Sequence, residues 1–470
     1  MRILMLGWEF PPYISGGLGQ ACHGLTRALD SMGHEITFVL PRPIDHAKGQ
    51  APTHLALRAP GGLAIDAPAA GPAAFSSQAT RASSVPKPDT RGLERTRFVQ
   101  IPATFSHPYP SFDSSPQLGV LESVDRQAMA QRDAAASQAA GGAVATAPFT
   151  RSEQSVNVPA AAYGDDLVAD ADRYALLAVS LTRGEQYDVI HAHDWLTFPA
   201  GMMLATISGK PLVVHLHSTE FDRAGNNANR RIVEVERAGM AAADRVFAVS
   251  QLTKTIIVRR YGIAPNKIDV VYNGIDAQTP LLPRPEREGQ SDRIVLFLGR
   301  ITWQKGPEYF INAAKRVLEV APNTRFVLAG AGDMALRMMD LANSLGIGKR
   351  VHFTGFLNGP DVARIMDMAD VYVMPSVSEP FGIAALEALS HQVPVIISRT
   401  SGAGEVLEHV LKVDFWDVDD LANKIVAVIT NPALATTLRQ NSMAELRRLN
   451  WTTAAERCLA GYAAVTSGRA

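Results

Sequence analysis

The sequence predicts an α/β protein made of two doubly wound, parallel-sheet halves. Short apolar runs rich in β-branched residues alternate with helix-forming stretches through both halves of the chain. Several of these runs end in Gly, His, Asp or Arg, at the strand edge where open α/β sheets bind ligands. At 470 residues the chain is long enough for two cores of ordinary domain size.

Composition narrows the class. Lys+Arg 45 against Asp+Glu 46 gives no polyelectrolyte character, so no nucleic acid is expected as a partner. Cys22 and Cys458 are the two cysteines, far apart and outside any metal-ligand spacing. A reduced, cytoplasmic compartment is the simplest reading. The apolar start Arg2–Leu6 stops at Trp8-Glu9, too short for a signal peptide. No uncharged apolar run approaches the roughly 20 residues of a membrane span, which leaves only peripheral membrane contact open.

The first half opens with strand-like Arg2–Leu6. A loop follows, with Gly16, Gly17, Leu18 and Gly19 at its end, then a helix to about Met32 and a strand Glu35–Leu40. Glycines at a helix start let backbone approach a ligand and present amides to an anion, although such clusters also serve as plain turns. The spacing is not the dinucleotide fingerprint. From about 44 to 93 and again from 111 to 157 the residues are Ala, Ser, Pro, Gly, Gln and Thr. Such sequence buries too little to offset its ordering entropy and reads as flexible insertion. Between them, 97–102 reads as a strand.

A helix is expected over Asp165–Leu181. The strand 187–195 then ends in His193-Asp194-Trp195, and the strand 211–216 leads into His217-Ser218-Thr219-Glu220-Phe221-Asp222-Arg223. His191/His193 and His215/His217 are two His-x-His pairs, and strand alternation puts both members of each on one face. They invite a metal reading, but no third carboxylate-and-His set completes the sphere. For His191 and His215, hydrogen bonding to backbone within the sheet reads better. After the strand 244–249, Asn273-Gly274 marks a turn and Pro280, Pro283 and Pro285 a linker.

The second half begins with the strand 293–300, ending in Gly299-Arg300, and Lys305-Gly306-Pro307 precede a helix. A planar Arg fork and a compact Lys charge suit a diphosphate. Val371–Met374 is a buried strand, Ser378–Gly382 a turn, and Ile383–Leu389 a helix. Glu379 therefore sits on a strand-to-helix loop beside outward-pointing amides, and Glu387 lies inside the helix, roughly two turns on from Glu379. Ser401–Glu405 is a further glycine-bearing turn, and Trp451–Val465 reads as helix. Asp170/Asp172 and Asp417/Asp419 are Asp-x-Asp tripeptides in or near helices and read as surface or cap residues.

Glu379 and Glu387, with Pro380-Phe381-Gly382 between them, resemble the Glu-x7-Glu signature of retaining glycosyltransferases with two facing Rossmann-like domains (GT-B), family 4 and its glycogen and starch synthase relatives in particular. Gly16-Gly17-Leu18, His193-Asp194-Trp195, Arg300 and Lys305 are similar to the same group. Where the bacterial synthases have a Lys two residues before the paired glycines, this chain has Ile14. The resemblance implies an acceptor-side domain over 1–280 and a nucleotide-sugar domain over 281–450. It also implies a helix over 451–470 crossing back onto the first domain.

The activity it implies is transfer of a hexose, glucose above all, from a nucleoside diphosphate sugar (ADP-, UDP- or GDP-linked) to an α-glucan. Lipid, small-polyol and surface-polysaccharide acceptors are also open. Arg300 and Lys305 would steady the leaving diphosphate. Glu379, Asp194 and His217 would contact the transferred sugar and the reacting oxygens. Gly16, Gly17, Leu18, Phe381, Gly382, Ile383 and Glu387 would hold substrate, Glu387 at the ribose. The cationic pair removes the need for a metal, no cofactor is called for, and the configuration at the anomeric carbon is retained. Two rival classes stand beside it: a metal-dependent hydrolase using the His-x-His pairs, and a non-catalytic nucleotide-sugar sensor.

Overall fold

The computed structural model describes residues 1–11, 16–41, 92–100, 165–276, 292–357 and 359–467. Ile14, the linker prolines and the insertions, save Gly92 and Leu93, lie outside the described residues.

The first half runs β1 (Arg2–Leu6), α1 (Gly17–Ser31), β2 (Glu35–Leu40), β3 (Thr96–Gln100), α2 (Asp165–Leu181) and β4 (Val189–His193). It continues α3 (Phe198–Ser208), β5 (Leu212–Leu216), α4 (Glu220–Ala224), α5 (Arg230–Ala242), β6 (Arg245–Ala248), α6 (Gln251–Ile256) and β7 (Ile268–Val270). The second half runs β8 (Arg293–Leu298), α7 (Pro307–Val320), β9 (Thr324–Ala329), α8 (Ala335–Ser344), β10 (Val351–Gly355), α9 (Gly359–Met368) and β11 (Val371–Met374). Then come α10 (Ile383–Ser390), β12 (Val395–Ser398), β13 (Leu411–Val413), α11 (Val418–Thr430), α12 (Pro432–Leu446) and α13 (Trp451–Thr466).

These strands form two all-parallel sheets, ordered β3-β2-β1-β4-β5-β6-β7 and β10-β9-β8-β11-β12-β13. Both faces of each are covered, which is why the strands read as continuous apolar runs. On one face of the first sheet Leu4, Ile190, Ala192 and Val214 pack with Tyr174 and Ala178 of α2 and Leu204 of α3. On the other, Ile3, Met5, Val189, Val213 and Phe247 pack with Leu25 and Leu29 of α1 and Ala455 and Tyr462 of α13. The last helix thus crosses back onto the first half. Close approach makes this docking specific: a Cβ on Gly24 would lie 2.1 Å from the Trp451 ring, and one on Gly461 2.5 Å from Phe247.

The strand order reverses between β1 and β4 in the first sheet and between β8 and β11 in the second. At such switch points the loops leave the sheet in opposite directions and open a crevice at the carboxyl edge. No helix among the described residues is long and apolar enough to cross a membrane.

Candidate active site

The residues singled out in the sequence leave the sheets at these two crevices. In the second sheet, β8 delivers Gly299 and Arg300, and β11 delivers the turn that carries Glu379. Lys305 ends a short 3-10 turn ahead of α7, and its Nζ donates to Glu379 Oε2 at 2.6 Å. Ser376 Oγ donates to the same oxygen at 3.1 Å. The Glu379 backbone is clamped as well, its N–H donating to Thr400 O and its carbonyl accepting from Gly402 N. Arg300 donates to Gln304 Oε1 at 3.4 Å, and Gln304 is itself buried.

Gly382 caps α10 with φ 105°, and a Cβ there would sit 2.7 Å from Met374 Cε. A side chain would be strained in backbone and in space, which accounts for glycine at this turn. Glu387 is half-buried, and burial raises its carboxyl above the usual range while His391 opposes this. Burial raises the Tyr372 phenol, and the charges of Glu379 and Glu387 add to this. The Phe381 side chain lies in the core against Tyr272, leaving its backbone to the site: its carbonyl accepts from Ala403 N and Ser401 Oγ.

In the first sheet, Gly16 and Gly17 open α1, with Leu18 partly buried behind them. A Cβ on Gly17 would stand 3.9 Å from Ile383 Cδ1, so the starts of α1 and α10 face one another across the cleft. Asp194 follows β4 at φ 57°, a strained value for a residue with a side chain. Its Oδ1 accepts from His217 N at 2.7 Å and from Ser218 N at 3.4 Å. Asp194 thereby holds the chain that carries His217. Burial raises its carboxyl to about 7, partly opposed by Arg223 and the two amides. Burial also pushes His217 down to about 3, so its imidazole is neutral.

Several residues whose partners sequence reasoning passed over support the site or tie the halves together. Ser378 Oγ, one residue before Glu379, donates to Asp222 Oδ1 of α4 at 2.6 Å. Arg223 is buried between Glu220 and Glu236, and Tyr261 donates its hydroxyl to Glu236. Arg223 also donates to Ser218 O, supporting the loop beside His217. Glu405 accepts from the amides of Gln251 and Leu252 at the start of α6. Phe356, just past the carboxyl end of β10, is 62% exposed. Its signal in the sequence was an aromatic just past a strand end, a position equally open to chance.

Three expectations are corrected. His191 and His215 do not hydrogen-bond the sheet backbone through their rings: His191 Nδ1 is paired with Tyr462 Oη at 2.6 Å, and neither nitrogen of His215 has a partner. The two His-x-His pairs, read as lacking a third set to complete a metal sphere, meet in one cluster, because β4 and β5 are neighbours with His193 in register with His215. Both pairs lie on the face covered by α1 and α13, and His191, His193 and His215 are fully buried. A buried cluster gives a substrate no access to a metal there, which removes the geometry that a hydrolase needs. Asp170 is buried and paired with Arg173 rather than a surface residue, whereas Asp417 caps α11 as expected.

Two parallel sheets with facing, glycine-bearing helix starts and a Lys–Glu pair define the architecture of a nucleotide-sugar-dependent transferase. Residues 279–444 match the family described as glycosyl transferases group 1, 148–279 match glycosyltransferase family 4, and 2–115 match the starch synthase catalytic domain. A D-inositol 3-phosphate glycosyltransferase of Kribbella flavida is 30% identical over 63% of this chain and 75% of its own. A Mycobacterium tuberculosis glycogen synthase is 26% identical over 100% of this chain and 96% of its own. An uncharacterized glycosyltransferase of Methanocaldococcus jannaschii is 37% identical over 48% of this chain, a match spanning 61% of that protein. In fold, sucrose-phosphate synthase from Thermosynechococcus elongatus aligns over 100% of both chains with TM-score 0.66 at 18% identity. The chain belongs to glycosyltransferase family 4 and is similar to its glycogen and starch synthase branch.

Proposed function

We propose that this glycosyltransferase moves glucose from a nucleoside diphosphate sugar, ADP-, UDP- or GDP-linked, to an α-glucan with retention of anomeric configuration. The observation that carries the reading is the Lys305–Glu379 pair at the start of α10, across the cleft from Gly17. As the anomeric C–O bond lengthens, negative charge grows on the diphosphate and positive charge on the sugar ring. Lys305, Arg300 and the amides after Gly382 stabilise the first, and preorganised donors of this kind act without reorganising. Glu379 lies against the second. His217, neutral, offers a hydrogen bond to the sugar without adding charge, and Asp194 positions it. Phe356 gives the base a ring to stack on, and Glu387 faces the ribose.

In this reading residues 1–280 bind the acceptor and 281–450 the donor, with 451–470 crossing back. No cofactor takes part and no divalent ion bridges the diphosphate, its place being taken by the two cations. Partners are the donor and a carbohydrate, without nucleic acid, in a reduced cytoplasm where Cys22 and Cys458, both free and buried, stay thiols.

A panel of ADP-, UDP- and GDP-sugars assayed with glycogen, with and without chelator, tests this. Incorporation of glucose that survives loss of Mg²⁺ and Mn²⁺ is expected. Donor binding with no transfer to any acceptor would instead indicate a sensor. A second acceptor class, a small phosphorylated polyol, is favoured by the 75% coverage of the inositol-phosphate enzyme and belongs in the same panel.

A further inference from the structure

We propose that His191, His193 and His215 form a buried site for one divalent d-block cation, with an enclosed water as fourth ligand, that fastens α13 to the first sheet. One ring nitrogen from each of the three lies within 4.8 Å of the others. All three side chains are buried, at 0%, 0% and 1% exposure. A tetrahedral zinc site with Zn–N of about 2.1 Å sets ligand atoms roughly 3.4 Å apart, so modest ring rotations close the set.

Unpaired atoms point to a ligand. His191 Nε2, His193 Nε2 and both nitrogens of His215 are buried without a hydrogen-bond partner. Leaving such an atom without a partner in the core is costly, and a protein seldom accumulates several in one place. Their partners on the other side of the ring fit a metal site. His191 Nδ1 meets Tyr462 Oη at 2.6 Å, and His193 Nδ1 meets His217 Nε2 at 3.0 Å. If each Nδ1 carries the proton, each Nε2 presents its lone pair inward, the arrangement that outer hydrogen bonds impose on metal-bound histidine.

An all-imidazole set selects zinc, cobalt, nickel or copper over magnesium or calcium, which prefer oxygen. With all three histidines inside the core and no route for substrate to the fourth position, the ion is structural. Tyr462 belongs to α13, so a loaded site links the sheet to the crossover helix through His191. It also fixes the tautomer of His193 that faces His217. This site is distinct from the donor cleft, where the proposed transfer uses no divalent ion.

Untagged full-length protein grown with added zinc, then desalted, tests the proposal by elemental analysis and by the shift of its melting midpoint with Zn²⁺ or Co²⁺. One retained metal ion per chain is expected, with tetrahedral Co²⁺ absorption after exchange. His215→Gln should lose the ion and the shift. Tyr462→Phe keeps all three ligands and should weaken metal affinity about 10–100-fold, which preserves the test if His215→Gln does not fold. A wild-type chain that takes up no d-block metal, or a folded His215→Gln that retains the same stoichiometry, overturns it. In that outcome buried water satisfies the nitrogens.

Discussion

Lys305 Nζ donates to Glu379 Oε2 at 2.6 Å, so the two groups proposed for opposite ends of the breaking bond are already in contact. The Glu379 side chain is 6% exposed and that of Lys305 21%, hence the pair is shielded from screening. Lys305→Ala and Glu379→Gln should each lower kcat by about 10²–10³-fold, the range seen when one preorganised charge partner is removed. Circular dichroism should remain that of the wild type. Rates within a fewfold of wild type in both variants would remove the pair from the reaction.

Gly382 carries a separate burden, since φ 105° and the Met374 contact both exclude a side chain. Gly382→Ala should cost about 1–3 kcal/mol in urea unfolding. It should also raise KM for the donor more than it lowers kcat, because the amides after it would be re-aimed. A variant with wild-type stability and donor KM contradicts this account of the turn.

Much of this was legible in the sequence, for reasons that differ by element. Val371–Met374 appears in the structure with the bounds read from its β-branched run, and Asp165–Leu181 likewise. Both are long or strongly patterned relative to their type, and tertiary contacts only reinforce them. The strand expected over 187–195 is shorter, Val189–His193, because Asp194 turns the chain at positive φ and Trp195 begins a 3-10 turn. Nothing local announces that break. The histidine cluster was misread for a longer-range reason: whether two His-x-His pairs meet depends on which strands are neighbours and in what register. Ser378–Asp222, Arg223–Glu236 and Gly24–Trp451 were equally hidden, being separated by 156, 13 and 427 positions in pairs that no spacing rule joins. Asp170 was misplaced because its tripeptide resembled surface sequence while the helix turned it inward.

Glu236 gives a pH prediction. Burial raises its carboxyl from an ordinary 4.5 to about 7, against the pull of Arg223 and Tyr261. The folded state therefore keeps a proton that the unfolded state has lost between those values. Stability from this group falls as pH rises from about 4.5 to 7, with a limiting slope near 1.4 kcal/mol per pH unit. Glu236→Gln should remove that slope from the unfolding free energy measured by urea titration across the window. An identical pH dependence in the two proteins would show that Glu236 is ionised throughout.

Among the described residues, side-chain hydrogen bonds from Glu405 and Ser378 cross the seam between the two halves. Glu405 accepts from Gln251 N at 2.8 Å, Leu252 N at 2.6 Å and Tyr272 Oη at 3.1 Å, acting as a cap on α6 supplied by the other half. Glu405 is solvent-exposed, so each bond is modest; a helix cap is worth typically about 1 kcal/mol. Ser378–Asp222 adds a second tie beside Glu379. Removing both, as Glu405→Ala with Ser378→Ala, should bias the protein toward an open form while leaving each core intact. Small-angle scattering should then give a larger radius of gyration for the double variant than for the wild type without donor, with the difference narrowing when a nucleoside diphosphate is added. Since neither side chain is assigned to the reacting atoms, kcat at saturating donor should fall less than kcat/KM. Equal radii, together with an unchanged kcat/KM, would mean that apolar contacts such as Trp303 against Gly225 hold the seam without them.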